Sequence, residues 1–486
     1  MEPVTATPPP EPAEPVQDAP TPLADAGVAL GALDGRYRSV VAPLVEHLSE
    51  AALNRERVRV EVEWLLHLTT HGVVPGAPTP TDDDVARLRA VVDDFGADDV
   101  AELAAVELET AHDVKAVEYV VKRRLAGTTL ASSSELVHFC CTSEDVNNLA
   151  YALMVRGAVS QVWLPAATAL VDQLAGLARD LRDQPMLAHT HGQPATPTTL
   201  GKELAVLAHR LRRQLRRIEG AEYLGKLNGA TGTYGAHVAA VPGADWVTIS
   251  RDFVEGLGLT WNPLTTQIEP HDWQAELYAD VARFNRVLHN ACTDVWTYIS
   301  LGYFTQRLGA HGSTGSSTMP HKVNPIRFEN AEANLEVSCA LLDVLASTLV
   351  TSRLQRDLSD SSMQRNIGSA FGHSLVAVDN VARGLAGLDA DPAVMERDLD
   401  GSWEVLGEAV QSAMRAQSVA GVTGMENPYE RLKELTRGRR VDGDAMRTFV
   451  RGLGLPPDVE ERLAALSPSA YTGLAARLVD HLADPR

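Results

Sequence analysis

Apolar residues recur at steps of three and four along several long stretches of the chain. Leu170, Leu174, Leu177 and Leu181 form one stripe. Leu200, Leu204, Leu207, Leu211, Leu215 and Ile218 form a second, and Leu335, Cys339, Leu342, Leu345 and Leu349 a third. This spacing puts about one apolar side chain per turn on one helical face, and long repeated stripes predict long helices packed side by side in a bundle. Upstream, Glu50 to Leu68 has helical composition and is broken by Val74-Pro75-Gly76-Ala77-Pro78. Thr81 followed by Asp82-Asp83-Asp84 reads as an N-cap with an acidic first turn. Strand-type alternation is confined to short stretches such as Trp246 to Ile249. The expected fold is all-α, in three parts: an N-terminal helical domain at 30–132, a central long-helix bundle at 133–385, and a C-terminal domain of shorter helices at 386–486. The first 22 residues contain eight prolines, so residues 1–29 are expected to be a disordered tail outside any core.

Composition supports this picture. Of the 486 residues, 45% are hydrophobic but only 5% aromatic, and Ala and Leu are abundant, which favours helix over sheet. The 43 basic and 64 acidic side chains leave a net charge of −21, which argues against broad binding to nucleic acid or anionic membranes. The basic run His209 to Arg217 is read as a solvated or salt-bridged helix face rather than a nucleic-acid site, because its apolar positions already belong to the second stripe. No apolar run approaches the roughly 18–20 residues of a membrane helix, and the N-terminus lacks the basic start and apolar stretch of a signal peptide. Four cysteines, none in a CxxC pair, are expected as reduced thiols in a cytoplasmic protein, with Cys140 and Cys141 as small packing residues rather than a disulfide.

The most informative segment for chemistry is Gly312-Ser-Thr-Gly-Ser-Ser-Thr-Met-Pro-His-Lys-Val-Asn-Pro325. Its small residues allow close approach to a ligand, its hydroxyls and N–H groups can hold an oxyanion, and Lys322 can neutralise a carboxylate. On composition alone it reads equally well as a surface linker. The pair His189 and His191 has a spacing seen in some metal sites, but no third-ligand motif such as HExxH accompanies it, so no metal is expected.

The run Gly315 to Pro325 resembles the signature loop of the fumarase/aspartase superfamily, whose members are helical, usually tetrameric enzymes that eliminate fumarate across a C–N or C–O bond. Thr142-Ser-Glu-Asp-Val-Asn-Asn148 and Thr190-His-Gly-Gln-Pro-Ala-Thr-Pro197 are similar to the adenylosuccinate lyase form of two further regions. So are Asp34-Gly-Arg-Tyr37, His112-Asp-Val-Lys115, Gln267-Ile-Glu-Pro-His-Asp272, Arg356-Asp-Leu-Ser-Asp-Ser361 and Leu435-Thr-Arg-Gly438. The likeness runs from about Leu33 to near the C-terminus and is nearest to the bacterial, longer-loop branch.

The resemblance implies a cofactor-free β-elimination on purine nucleotide substrates, in a homotetramer with shared active sites. It places Ser316, in preference to Ser317, as the base and His191 as the general acid. Lys322 and Asn324 are expected on the succinyl carboxylates, Arg36 and Tyr37 on the phosphate and over the nucleotide, and His112 and Asp113 beside the substrate. Thr142 and Ser143 would donate hydroxyls to a carboxylate, and Gln267 a further hydrogen bond. Asn330, Arg356, Ser361 and Arg365 would contact the nucleotide, arginine being suited to bidentate phosphate recognition. Glu269 and His271 are expected as a supporting pair with no proton-transfer role. One departure is Ala111, where the family often has Asn before the histidine. The same chemistry on argininosuccinate, aspartate or malate, and a helical oligomer without catalysis, are the competing readings.

Overall fold

The computed structural model describes residues 29–307, 319, 322–436 and 441–483. The proline-rich start, Ser316 and Ser317 therefore lie outside the described residues. The N-terminal helices are α1 (Arg38–Leu48), α2 (Glu50–Thr70), α3 (Asp82–Asp93), α4 (Ala97–Thr110) and α5 (Asp113–Arg124). Thr81 caps α3 as its sequence predicts: its Oγ accepts the Asp84 N–H at 3.1 Å, and the Asp84 carboxylate accepts the Thr81 N–H at 3.0 Å. Helix α2 is apolar on two sides. Leu53, Val60, Trp64 and Leu68 face the central core, whereas Val58, Val62, Leu65 and Leu66 pack with Leu88, Leu103, Val117 and Val121 in a second core. A helix buried on both faces ties the two layers together.

The central part begins with α6 (Ser143–Gly157), which continues through a π-helical turn at Ala158–Trp163 into α7 (Leu164–Asp180). Then come α8 (Leu200–Glu219), α9 (Gly235–Ala240), α10 (Trp246–Gly256), α11 (Asp272–Ser300), α12 (Ile326–Leu349), α13 (Ser359–Gln364) and α14 (Ile367–Ala386). Helix α7 packs on α8, α8 on α11, α11 on α12, α12 on α14, and α14 back on α7, closing a five-helix bundle. All six apolar residues of the α8 stripe are buried. The expected strand character at Trp246 to Ile249 is not found: these residues open α10, with the Asp245 carboxylate accepting the Thr248 N–H at 3.2 Å. Four residues of alternation carry too little periodicity to outweigh a capping aspartate.

A chain of hydrogen bonds crosses the bundle interior. Trp163 Nε1 donates to Ser374 Oγ (2.8 Å), Ser374 to Asn285 Oδ1 (2.8 Å), Asn285 Nδ2 to Ser338 Oγ (3.0 Å), and Ser338 to the Ala370 carbonyl (2.7 Å). These four side chains are fully buried. The arginines of the 209–217 run are largely spoken for within the fold: Arg210 binds Asn290, Arg212 binds Asp172, and Arg217 binds Asp280. The strands are two- and three-residue pairings, among them β1 (Pro185–Met186) with β4 (Thr198–Thr199) and β2 (His189–Thr190) with β3 (Gln193–Pro194). The C-terminal helices enclose a third core around Val410, Met414, Met446 and Val450, while Val479 and Leu482 return to the central one. The four cysteines are free thiols.

The loop leading into α6 is pinned by His138. Its N–H donates to Glu61 Oε2 (2.9 Å) and its Nδ1 lies 2.6 Å from Glu61 Oε1. Burial pulls the imidazole pKa down, but the Glu61 carboxylate outweighs it and the net shift is upward. A raised folded-state pKa gives stability that is complete below the unfolded value of about 6.5 and is lost as pH rises through the folded value. Chemical denaturation should therefore show stability falling above about pH 6.5, and His138→Gln should remove that part of the slope.

Candidate active site

Six of the residues singled out from sequence line one cleft of about 370 Å³: His112, Asp113, Ser143, Arg356, Ser361 and Arg365. Two helix starts open onto it. His112 is the N-cap of α5 with Asp113 next, and Thr142 is the N-cap of α6 with Ser143 next. The positive ends of both helix dipoles favour an anion there. His112 Nδ1 accepts the Lys115 N–H at 3.2 Å, so the neutral ring carries its proton on Nε2.

The cleft's cations are held by carboxylates and amides. Arg57, almost entirely buried, donates to Asn147 (2.9 Å), Asn54 (3.1 Å) and Asp113 (2.8 Å). Burial pushes the Asp113 carboxyl up, but the Arg57 guanidinium overcomes this and holds it below the usual carboxylate range. Arg356 pairs with Glu144 at 2.8 Å and reaches Ser361 Oγ at 3.2 Å. Its buried Nε has no hydrogen-bond partner among the described residues. Burial raises the Glu144 pKa against the pull of Arg356. Arg365 pairs with Glu50 at 3.1 Å and lies 3.8 Å from Asp113.

Other residues stand apart from this cleft. Tyr37 and Asn330 meet each other, Asn330 Nδ2 donating to the Tyr37 hydroxyl at 2.8 Å, while Arg36 is exposed. Gln267 donates to the Ala230 carbonyl at 3.0 Å. Glu269 accepts the His271 N–H at 2.9 Å, and His271 Nε2 lies 3.6 Å from Asp360, so this buried pair adjoins the cleft from behind. His191 sits at the exposed tip of the β2–β3 hairpin. His191 and Gly192 have φ of 54° and 71°, the positive values that a two-residue turn of this kind requires. Lys322 is exposed, and Asn324 follows it before α12. His191, Gln267, Lys322 and Asn324 do not line the 370 Å³ cleft of this chain. Among the described residues, no group of three His, Cys, Asp or Glu side chains is placed to hold a metal.

The chain matches the Lyase family model over residues 35–338 and the Adenylosuccinate lyase C-terminal model over 352–472. It is 48% identical over 455 residues to the adenylosuccinate lyase of Escherichia coli strain K12, covering 93% of this chain and 98% of that one. With the Vibrio cholerae adenylosuccinate lyase the identity is 45% over 456 residues, with the same coverage. The chain belongs to the adenylosuccinate lyase family. The fold is shared with a fumarate lyase from Mesorhizobium sp. BNC1, at a TM-score of 0.72 and 20% identity over 91% of this chain and 97% of that one. A 3-carboxy-cis,cis-muconate lactonizing enzyme from Pseudomonas putida gives a TM-score of 0.69 at 21% identity, over 91% and 96%.

Arg57, Asn147 and Tyr151 line the cleft without having been singled out from sequence. Arg57 carried a signal: it falls within the apolar stripe Leu53, Val60, Trp64, Leu68, where a cation needs buried partners. Ala111, the departure from the family pattern, lines the cleft and ends α4 at φ 50° and ψ 29°, left-handed values in which Cβ is strained. Ala111→Gly is expected to stabilise the protein by about 0.5–1 kcal/mol in urea denaturation, with Ala111→Asn intermediate.

Proposed function

We propose that the chain catalyses β-elimination of fumarate from adenylosuccinate, giving AMP, and from the succinylaminoimidazole carboxamide ribotide, giving aminoimidazole carboxamide ribotide. Near-full-length identity to adenylosuccinate lyases carries this reading. The cleft agrees with it chemically: Arg57, Arg356 and Arg365 beside two helix N-termini suit a phosphorylated ligand. Argininosuccinate, aspartate and malate carry no phosphate.

In the reaction a base removes a proton from the carbon beside one succinyl carboxylate. The electron pair delocalises into that carboxylate, the C–N bond breaks, and an acid protonates the departing purine nitrogen. Ser316 is the base, activated by oriented donors and neighbouring positive charge, and His191 is the acid. Thr142, Ser143, Lys322 and Asn324 hold the succinyl carboxylates, with Gln267 as an additional donor. His112 and Asp113 lie along the substrate, and Arg36, Tyr37, Asn330, Arg356, Ser361 and Arg365 take the nucleotide end. Protein groups alone supply the positive charge and hydrogen bonds that the carbanion needs.

This reading includes a homotetramer whose active sites are shared between subunits. Exposed Val337, Val344 and Val350 beside α12's buried stripe, and exposed Trp296 and Leu301 at the end of α11, provide apolar surface for that assembly. No helix among the described residues is long and apolar enough to cross a membrane. A cytoplasmic location fits the four free thiols.

Ultraviolet absorbance should show turnover of adenylosuccinate by the purified, metal-free protein. His191→Ala and Ser316→Ala should each lower kcat by about 100- to 10,000-fold while remaining folded. Absence of turnover by folded wild-type protein would remove the assignment.

A further inference from the structure

Lys226 has no solvent exposure, nor has its ion-pair partner Asp145; their Nζ and Oδ1 atoms are 2.9 Å apart. Lys226 was not among the residues marked by the sequence motifs, and it lies outside the cleft described above. Removing two charges from water is costly, and such a pair is seldom kept for stability: neutral groups of similar shape often serve as well or better. What the pair does here is visible in its other bonds.

The Asp145 carboxylate accepts the Thr142 N–H (2.8 Å), the Asn228 N–H (2.9 Å) and the Gly229 N–H (3.1 Å). Three residues further along α6, Asn148 grips the same loop from both sides. Its Oδ1 accepts the Lys226 N–H at 2.8 Å and its Nδ2 donates to the Lys226 carbonyl at 3.0 Å. The loop at 226–232 in turn carries the segment bearing Gln267. Asn228 Nδ2 donates to Thr265 Oγ1 at 2.7 Å, Gln267 Nε2 donates to the Ala230 carbonyl at 3.0 Å, and Gly232, at φ 74°, comes so near that a Cβ there would lie 2.4 Å from the Thr265 carbonyl oxygen. One carboxylate thus joins the turn that presents Thr142 and Ser143 to the loop that holds Gln267.

We infer that the buried Lys226–Asp145 ion pair is a positioning device, which sets Thr142 and Ser143 in fixed register with Gln267 for recognition of the succinyl group. This rests on the function proposed above. Lys226 and Asp145 act through the residues they hold, and neither touches substrate.

The test is the neutral double variant Asp145→Asn/Lys226→Met, which leaves no unpaired buried charge and retains an acceptor for the Thr142 N–H. With adenylosuccinate, KM is expected to rise about tenfold and kcat to change by less than about threefold, because the loss falls on binding shared by ground and transition states. Kinetic constants within about twofold of wild type in the folded double variant would overturn the positioning role, since a purely structural pair would leave them unmoved. Wild type assayed in parallel separates the two conclusions: turnover by wild type with an unaffected variant overturns the role alone, whereas no turnover by wild type overturns the function and the role with it. Hydrogen exchange on the wild-type protein needs no variant to fold. The amides of Asn228 and Gly229, although in a loop, should exchange only with global unfolding, and rapid exchange at either would overturn the clamp.

Discussion

The rest of this molecule hangs on the register of its long helices, and four of the five bundle helices are tied to one another by hydrogen bonds inside an otherwise apolar core. Leucine stripes can slide by a turn at modest cost, since one methyl contact resembles another. The series from Trp163 through Ser374, Asn285 and Ser338 to the Ala370 carbonyl cannot slide, because each displaced donor or acceptor would be stranded away from water. It joins the start of α7 to α11, α12 and α14, so the ends of those helices arrive at defined heights. The segments with chemical potential sit at or beside helix ends: Thr142 and Ser143 at the start of α6, Gln267 shortly before α11, and Lys322 and Asn324 before α12.

Charge follows the same logic on a smaller scale. Around the 370 Å³ cleft the arginines are paired in advance, Arg57 with Asp113 and two asparagines, Arg356 with Glu144. Such pairing holds each guanidinium in one orientation, set by the scaffold rather than by the ligand. The −21 net charge of the chain is therefore compatible with a local anion site, because the acidic excess is distributed elsewhere and two helix dipoles reinforce the arginines.

The long helices were legible because a repeat of three and four residues, sustained over five turns as in α8, has no strand-like alternative. Trp246 to Ile249 was not, because four residues satisfy either period and the deciding contact is the Asp245 cap. Arg57 was legible in principle as a cation within an apolar stripe. Lys226 was not: its partners, Asp145 and Asn148, lie some eighty positions upstream, and nothing local to Leu224–Leu227 distinguishes a buried lysine from an exposed one.

By itself, then, the sequence determined the helical class, the long stripes of the bundle and the helix start marked by Thr81. These depend on local periodicity, capping and residue type, which are written over a few consecutive turns. Only the tertiary structure decided that His112, Asp113, Ser143, Arg356, Ser361 and Arg365 share one cleft while His191 stands on an exposed turn, and that Asp145 binds Lys226 rather than solvent. Those outcomes depend on which distant segments exclude water from one another, and on the pairing that each buried charge must then find.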